Sequence, residues 1–306
     1  MIKLVNYGIY LCEKLYNITL KQILCDAPAK SFILNIKGHR TIPVEFCRKS
    51  RPLDYLKQWK ATEYRQILLY TGPAVLQEIL SSDLYHDFRT VHIAIRILCC
   101  ENLCKDYLKH NGLIHLCDDV RIHGTLDLFS AFKYENFLQE IKKIIRKADK
   151  PLQQLHRRYT EKNDKICNIV LIYEESPKIQ FLNKHCNGPL IHDCTNPQYK
   201  TINILQYTIK VNDNANNYCF MKDKSIIKIE NIAYCNTRKC SVVIGKKFMI
   251  KENLFHIPCL SSLLEIYVVS NLSKLCTWSI SDIRKKMLIM PYAKNTFVVM
   301  PLLHIE

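Results

Sequence analysis

The residues of this sequence that could form disulfides or bind metal ions are its fifteen cysteines and eleven histidines. The cysteine count is odd and no Cys-x-x-Cys spacing occurs, so neither a disulfide framework nor a standard zinc motif is indicated. Because thiolate and imidazole groups are good Zn²⁺ ligands, a zinc site would combine the closest cysteine cluster with a nearby cysteine or histidine. The residues concerned are Cys99, Cys100, Cys104, His110, His115, Cys117 and His123. The alternative is that Cys99 and Cys100 are small buried residues that end a helix. For the chain as a whole, we expect reduced thiols and no bound cofactor.

Positive charge is concentrated between residues 142 and 158. Asp149 is the only acid there, against the basic residues Lys142, Lys143, Arg146, Lys147, Lys150, Arg157 and Arg158. The whole chain has 44 Lys and Arg against 28 Asp and Glu, a formal net charge of +16. Such cations neutralise phosphates and give salt-sensitive affinity for nucleic acid, so these seven residues are the predicted nucleic-acid-binding site. The alternative is a solvated helix face whose apolar side belongs to the core.

These side chains must be positioned by two regions that differ in their pattern of apolar residues, one helical and one β-prone. Residues 1–165 have helical periodicity, with one helix expected over 57–70 that ends before Gly72-Pro73. Residues 166–306 contain short β-prone runs separated by turn residues, at 169–173, 199–204, 225–230, 241–245, 264–269 and 296–300. The predicted fold class is therefore α+β, with a mainly helical domain over 1–165 and a small β-rich barrel or sandwich over 166–306. The predicted core includes Trp59, Leu68, Val91, Ile95 and Trp278.

Hydropathy bears on the compartment. No run of about 18 uncharged apolar residues is present, so no membrane span is expected. The first residues lack a clean hydrophobic stretch followed by a small-residue cleavage site, which argues against a secretory signal. We therefore expect an intracellular protein, nuclear or cytoplasmic.

Several separated blocks resemble animal transposase-like proteins of the CACTA (En/Spm) class. They are residues 59–73, 113–120, 124–138, 142–147 with Pro151-Leu152, and, in the β-rich part, 194–200, 228–231 and 259–272. The blocks follow the family's order and cover nearly the whole chain. The resemblance implies that residues 1–165 are the remnant of a ribonuclease H-like nuclease, whose α/β core is broken by a helical insertion, and that DNA is the partner.

The resemblance also implies a metal site. Nucleases of this kind use three carboxylates to hold two Mg²⁺ or Mn²⁺ ions, which clamp the attacking and leaving oxygens. The third carboxylate corresponds here to Glu135, in the run Tyr134-Glu135-Asn136-Phe137. The residues alone would allow Glu135 to be only an acid in a first helical turn.

Two departures from the family pattern limit what the resemblance carries over. The family's two Asp ligands lie upstream of the block that matches residues 1–9, so we expect two of three ligands to be missing and Glu135 to be vestigial. The family's paired His motif has three intervening residues, whereas His110 and His115 have four. This pair is the other candidate metal site. Asp118 and Asp119 are expected to face solvent or to pair with Arg121.

The combined expectation is a transposon-derived protein that is not an enzyme and binds DNA through its basic helical segment. Two alternatives stay open. The β-rich domain could instead dock a transposase or a chromatin protein, with the basic segment as ordinary surface. The sequence could also be a decayed open reading frame.

Overall fold

The computed structural model describes residues 42–46, 51, 55, 58–78, 80–107, 114–129, 144–145, 150–170, 179–204 and 207–303. Among these residues, helices occupy the chain up to Val170 and antiparallel strands occupy it from Gln180. The predicted α+β class is confirmed at this level. The expected ribonuclease H-like remnant stays a prediction.

The described helical part consists of two long helices, α3 and α7, and several short elements. They are α1 Ala61–Gln66, a π-helical turn Ile67–Thr71, α2 Gly72–Val75, a 3-10 turn Leu76–Glu78, α3 Ser82–Cys99, α4 Glu101–Tyr107, α5 Ile114–His123, α6 Leu126–Phe129 and α7 Pro151–Val170. The strand predicted over 169–173 is wrong at its start, because Ile169 and Val170 end α7. The proposed domain boundary at 165/166 falls inside the same helix.

The sequence predicts a stop at Gly72-Pro73 and a new helix from Pro73. A new α-helix, α2, does start there with Pro73 in its first turn, but no stop precedes it, since the π-helical turn runs directly into Gly72. The N–H of Gly72 donates to the Ile67 carbonyl, which is the wider π-helical pattern and deprives the Leu68 carbonyl of its usual donor. Pro73 has no N–H to offer the Leu69 carbonyl. Two backbone oxygens are therefore left in need of donors in a buried segment.

Two side chains of α3 form hydrogen bonds with these two carbonyl oxygens. His92 Nδ1 lies 2.7 Å from the Leu68 oxygen, and Arg96 Nη1 donates to the Leu69 oxygen at 2.7 Å. Arg96 Nη2 donates to the Pro301 carbonyl at 3.1 Å, which joins the helical part to the last strand. Both side chains are fully buried. Burial, followed by the repulsion from Arg96, lowers the pKa of His92 to about 3.

From Gln180 the described chain forms strands that all pair antiparallel. Their bounds are β1 Gln180–His185, β2 Cys194–Ile204, β3 Tyr207–Lys210, β4 Tyr218–Met221, β5 Ile226–Cys235, β6 Cys240–Asn253, β7 Tyr267–Leu272, β8 Cys276–Ser279, β9 Ile283–Ala293 and β10 Thr296–Pro301. Two 3-10 turns, Ser261–Leu264 and Ile280–Asp282, precede β7 and β9. The run predicted over 264–269 is therefore half turn and half strand.

The strand pairings close a barrel. Each strand in the order β5, β4, β9, β10, β7, β6 pairs with the next, and β6 pairs back with β5. Outside this circuit, β2 pairs with the later half of β5, β1 and β3 flank β2, and β8 pairs with β6. Of the two predicted architectures, the barrel is the one observed.

Alternate residues of the barrel strands face different hydrophobic clusters. The interior holds Tyr218, Phe220, Ile226, Phe248, Val269, Met287, Ile289 and Val299. The intervening residues of β9 and β10 pack outward against the helices, and those of β4 and β5 pack outward against β2 and β3. The predicted core residues Trp59 and Leu68 are buried, while Val91, Ile95 and Trp278 are half-buried against neighbouring clusters. Both faces of the main strands are thus covered.

Gly245 allows β5 and β6 to approach each other where their register shifts. The bulge lies between Ile229, opposite Gly245, and Asn231. A Cβ at Gly245 would collide with the Lys228 carbonyl oxygen, so only glycine fits. At this bulge β5 exchanges β4 for β2 as its second neighbour.

A buried ion pair holds the segment 42–46 against the barrel. Lys286 of β9 is fully buried, and its Nζ donates to both carboxylate oxygens of Glu45 at 2.8 Å. The same ammonium donates to the Thr208 carbonyl at 2.6 Å and to the Asn216 side-chain oxygen. Burial lowers the pKa of Lys286, and the hydrogen bond that its ammonium donates to Glu45 opposes that shift. Removal of Glu45 would leave a buried charge without its counterion.

We predict that Glu45→Ala lowers the free energy of unfolding by about 3–5 kcal/mol, because it strands the Lys286 ammonium in the interior. The double variant Glu45→Ala/Lys286→Met should recover much of this loss. The control is Glu161→Ala, since the Arg157–Glu161 pair is exposed and should contribute less than about 1 kcal/mol. Urea denaturation measures all three, and equal losses for Glu45→Ala and Glu161→Ala would contradict the assignment.

We also predict a pH dependence of stability that originates at His92. The pKa of the His92 imidazole is lowered from 6.5 to about 3. Between these two pH values the imidazole binds a proton in the unfolded chain but not in the folded chain. The contribution of this imidazole to the free energy of unfolding is complete above pH 6.5. It is lost as the pH falls toward 3, by up to about 1.4 kcal/mol per pH unit.

Urea denaturation at pH 7.5, 6.5 and 5.5 should show this decline, and His92→Gln should flatten it. His192→Gln is the matched control, because the His192 side chain is fully exposed. An unchanged pH slope in His92→Gln would refute the prediction.

Candidate nucleic-acid interface

Three of the predicted nucleic-acid-binding residues are described, one just before α7 and two in its first half. Lys150 immediately precedes the helix and is exposed. The Arg157 side chain is 83% exposed, and its Nε donates to Glu161 at 3.1 Å. Arg158 is half-buried and donates to the Ile144 carbonyl. Lys150 and Arg157 are therefore available to a ligand, whereas Arg158 fixes the chain ahead of the helix.

The remaining predicted site residues lie outside the described residues: Glu135, Lys142, Lys143, Arg146, Lys147 and His110. His115 belongs to α5, of which only the backbone is described at that position. The predictions made for these residues stay predictions. In α5, Asp118 and Arg121 form the expected ion pair at 2.6 Å.

The cysteine cluster at the end of α3 matches the simpler interpretation. Cys99 and Cys100 are 4% and 1% exposed, and α3 ends at Cys99. The Cys104 thiol donates to the Ile97 carbonyl at 2.9 Å. In the portion of the chain that is described, no three His, Cys, Asp or Glu side chains are grouped so that they could hold a metal ion.

A second group of exposed cations lies at one end of the barrel and was not anticipated from the sequence. We call Lys222, Lys224, Lys251 and Arg284 the cationic rim. All four are exposed, and they come from the β4–β5 turn, from β6 and from the start of β9. Basic residues that flank strand ends were the only available signal, and strand pairing is needed to bring them together.

Aromatic rings support the cationic rim from below. Lys251 Nζ lies 4.7 Å from the centre of the Tyr267 ring and donates to the Lys224 carbonyl at 2.9 Å. The Tyr267 and Phe220 rings stack with their centres 6.3 Å apart. The Arg284 guanidinium carbon lies 5.9 Å from the centre of Phe220. Cations are thus held over aromatic faces, which attract positive charge.

The electrostatics of the cationic rim favour an anion. Although Lys251 is exposed overall, partial desolvation of its ammonium lowers its pKa, repulsion from Lys224 lowers it further, and Asp223 opposes both. Asp223 already accepts hydrogen bonds from the backbone and hydroxyl of Ser225, at 2.9 and 2.6 Å. A phosphate beside Lys224 and Lys251 would relieve their mutual repulsion.

The nearby acid Glu265 pairs with Arg284 of the cationic rim and with the neighbouring Lys285. Its carboxylate oxygens lie 3.1 Å from Arg284 and 3.2 Å from Lys285. A cavity of about 170 Å³ beside Arg284 and Glu265 is smaller than the 300–1,000 Å³, approximately, of typical small-molecule pockets. The arrangement therefore suits a ligand that lies on the surface.

Comparisons with known proteins bear on the β-rich part. Residues 184–302 match a family described as a domain of unknown function, DUF8592. The match runs from β1 past the end of β10 and includes the barrel and the cationic rim. No curated protein and no solved structure matches the chain. None of the helices described is both long and apolar enough to cross a membrane.

Proposed function

We propose that this chain binds nucleic acid without cleaving it and descends from CACTA-class transposases. The net charge of +16 and the blocks that resemble this class support the proposal. So does the placement of Lys150 and Arg157 in solvent, just before α7 and in its first half. The basic segment 142–158 and the cationic rim are the two surfaces that we assign to binding.

The cationic rim is the observation that carries the proposal. Lys224 and Lys251 lie side by side, joined by the hydrogen bond from the Lys251 ammonium to the Lys224 carbonyl. Their like charges repel, and a phosphate of the nucleic acid would relieve this repulsion. When the two lysines neutralise the phosphate, counterions bound to the nucleic acid are released, which favours binding. The half-buried ring of Tyr267 beneath Lys251 holds the ammonium at a fixed place.

We predict that Lys222→Gln/Lys224→Gln/Lys251→Gln weakens binding to duplex DNA about tenfold or more at low salt. The dependence of log K on log salt should flatten by about 0.9 for each phosphate that the variant no longer neutralises. The segment variant Lys142→Gln/Lys143→Gln/Arg146→Gln/Lys147→Gln should show an effect of the same kind. Fluorescence anisotropy with a labelled duplex, at several NaCl concentrations, measures affinity and slope together.

The control for net charge is Lys184→Gln/Lys239→Gln/Lys294→Gln, which removes the same three charges. All three lysines are exposed, on β1, in the β5–β6 turn and in the β9–β10 turn, away from the cationic rim. The control should retain wild-type affinity. A decrease in affinity that scales only with the number of lysines removed would show a diffuse charge effect and overturn the assignment of a site.

The absence of cleavage is a separate prediction. Purified protein incubated with supercoiled DNA and Mg²⁺ or Mn²⁺ should leave the DNA intact, because a single carboxylate cannot place two divalent cations. Glu135→Ala should bind DNA as tightly as the wild type. Nicking by the wild type that Glu135→Ala abolishes would show an active nuclease.

One observation favours a protein partner as the second candidate function. Met249 and Ile250 of β6 are 59% and 40% exposed. Beyond Lys247, no strand in the described part of the chain pairs with the β5-side edge of β6. An open edge with apolar side chains can accept a strand from another protein. Association that survives nuclease digestion and is abolished in Met249→Glu would favour this function.

A further inference from the structure

Independently of nucleic-acid binding, we propose that Cys194 and Cys235 form a redox-active dithiol that hydrogen peroxide converts to a reversible disulfide. The two residues lie at the end of β5 farthest from the cationic rim. They lie directly opposite each other on β2 and β5.

The strand register brings the two thiols to the separation that a disulfide needs. The Asn236 N–H donates to the Asp193 carbonyl at 2.9 Å, and the Cys194 N–H turns back to Ile191 at 2.8 Å. Cys194 and Cys235 are therefore a non-hydrogen-bonded antiparallel pair, the type with Cα atoms about 4.5 Å apart and the closer side chains. Disulfides span Cα separations of about 4.4–6.8 Å.

The surroundings give the two thiols different roles. The neighbouring backbone N–H of Arg238, followed by Thr237, holds the pKa of the Cys235 thiol below its ordinary value. Burial raises the pKa of Cys194, and the neighbouring Cys235 raises it further. Cys235 is thus prepared to be the nucleophilic thiolate and Cys194 the thiol that resolves its product.

Access favours a small oxidant and a single disulfide partner. Cys194 and Cys235 are 6% and 4% exposed, so peroxide fits better than a bulky disulfide. Cys240 lies opposite Cys235 on the other side, on β6, and is exposed. The N–H and C=O of Cys235 do not bond to β2 and therefore point toward β6. Cys235 and Cys240 are accordingly a hydrogen-bonded pair, the type with the wider Cα separation. Both pair types lie within the disulfide range, and Cys194 is the closer partner because side chains approach more closely in a non-hydrogen-bonded pair.

The chemistry balances with hydrogen peroxide as the oxidant. The Cys235 thiolate attacks one peroxide oxygen, the O–O bond breaks, and the hydroxide that leaves takes a proton to become water. The sulfur of Cys194 then attacks the resulting sulfenic acid, the S–S bond forms, and the departing hydroxide takes the Cys194 proton as a second water. A thiol reductant reverses the reaction by exchange.

The expected consequence is a covalent clamp between the barrel and its outer strands. The bond would join β2, with β1 and β3 attached to it, directly to β5. It would close a loop that contains β3 and β4, and so restrict the unfolded chain. The oxidised protein should therefore melt at a higher temperature, by about 5 °C or more.

The test treats the reduced full-length protein with hydrogen peroxide, blocks free thiols, and maps disulfides by peptide mass spectrometry. We expect a Cys194–Cys235 link that dithiothreitol removes, together with the rise in melting temperature. A link between Cys235 and Cys240 would overturn the proposal. So would free thiols at Cys194 and Cys235 under conditions that oxidise the exposed Cys240 and Cys276.

Two variants test the division of roles. Cys194→Ser should leave a sulfenic acid at Cys235 that dimedone captures, whereas Cys235→Ser should give neither link nor adduct at Cys194. Cys276→Ser, which removes an exposed thiol on β8, should behave as the wild type. An adduct at Cys194 in Cys235→Ser would show that the amide-stabilised thiol is not the nucleophile. The wild-type map decides the proposal even if a serine variant folds poorly.

Discussion

The pairing of β5 with β6 is the contact on which the rest of the structure depends. Without it, the path from β5 through β4, β9, β10 and β7 to β6 would be an open sheet with two exposed edges. With it, the path closes and encloses an aromatic and aliphatic interior. Gly245 makes this closure compatible with the bulge, because no side chain fits beside the Lys228 carbonyl.

The attachment of the helices to this barrel shows what local sequence rules can and cannot predict. Gly72-Pro73 reads as a helix stop because proline leaves a carbonyl without a donor. The helical path continues because His92 and Arg96, about twenty residues later, supply donors to the Leu68 and Leu69 carbonyls. The end of α3 at Cys99 was within reach of the sequence, since Cys99 and Cys100 were expected to end a helix. The rescue of a broken helix by a distant side chain is not local.

The strands and sites divide in the same way. Runs at 199–204, 241–245 and 296–300 were recognisable from β-branched content. In contrast, β9 has Arg284-Lys285-Lys286 directly after its first residue and resembles a surface segment. Lys286 is nevertheless fully buried, because Glu45 reaches it from far along the chain. The cationic rim and the Cys194–Cys235 pair likewise assemble from separate strands, with no spacing motif in the sequence. The basic segment was visible because its residues are consecutive, and for most of them the prediction is still open.

Burial on both faces dictates where this barrel can do chemistry. Helices cover one outer surface of the strands, β2 and β3 cover another, and the interior is filled with side chains. Only strand ends, turns and edges then present groups to a ligand. The cationic rim surrounds the turn that precedes β5, and the dithiol lies beside the turn that follows it. Because one strand spans both places, a disulfide that stiffens β5 at Cys235 acts on the same element whose other end positions Lys224. Oxidation and nucleic-acid binding would be coupled through β5 only if this strand changes position between the two redox states.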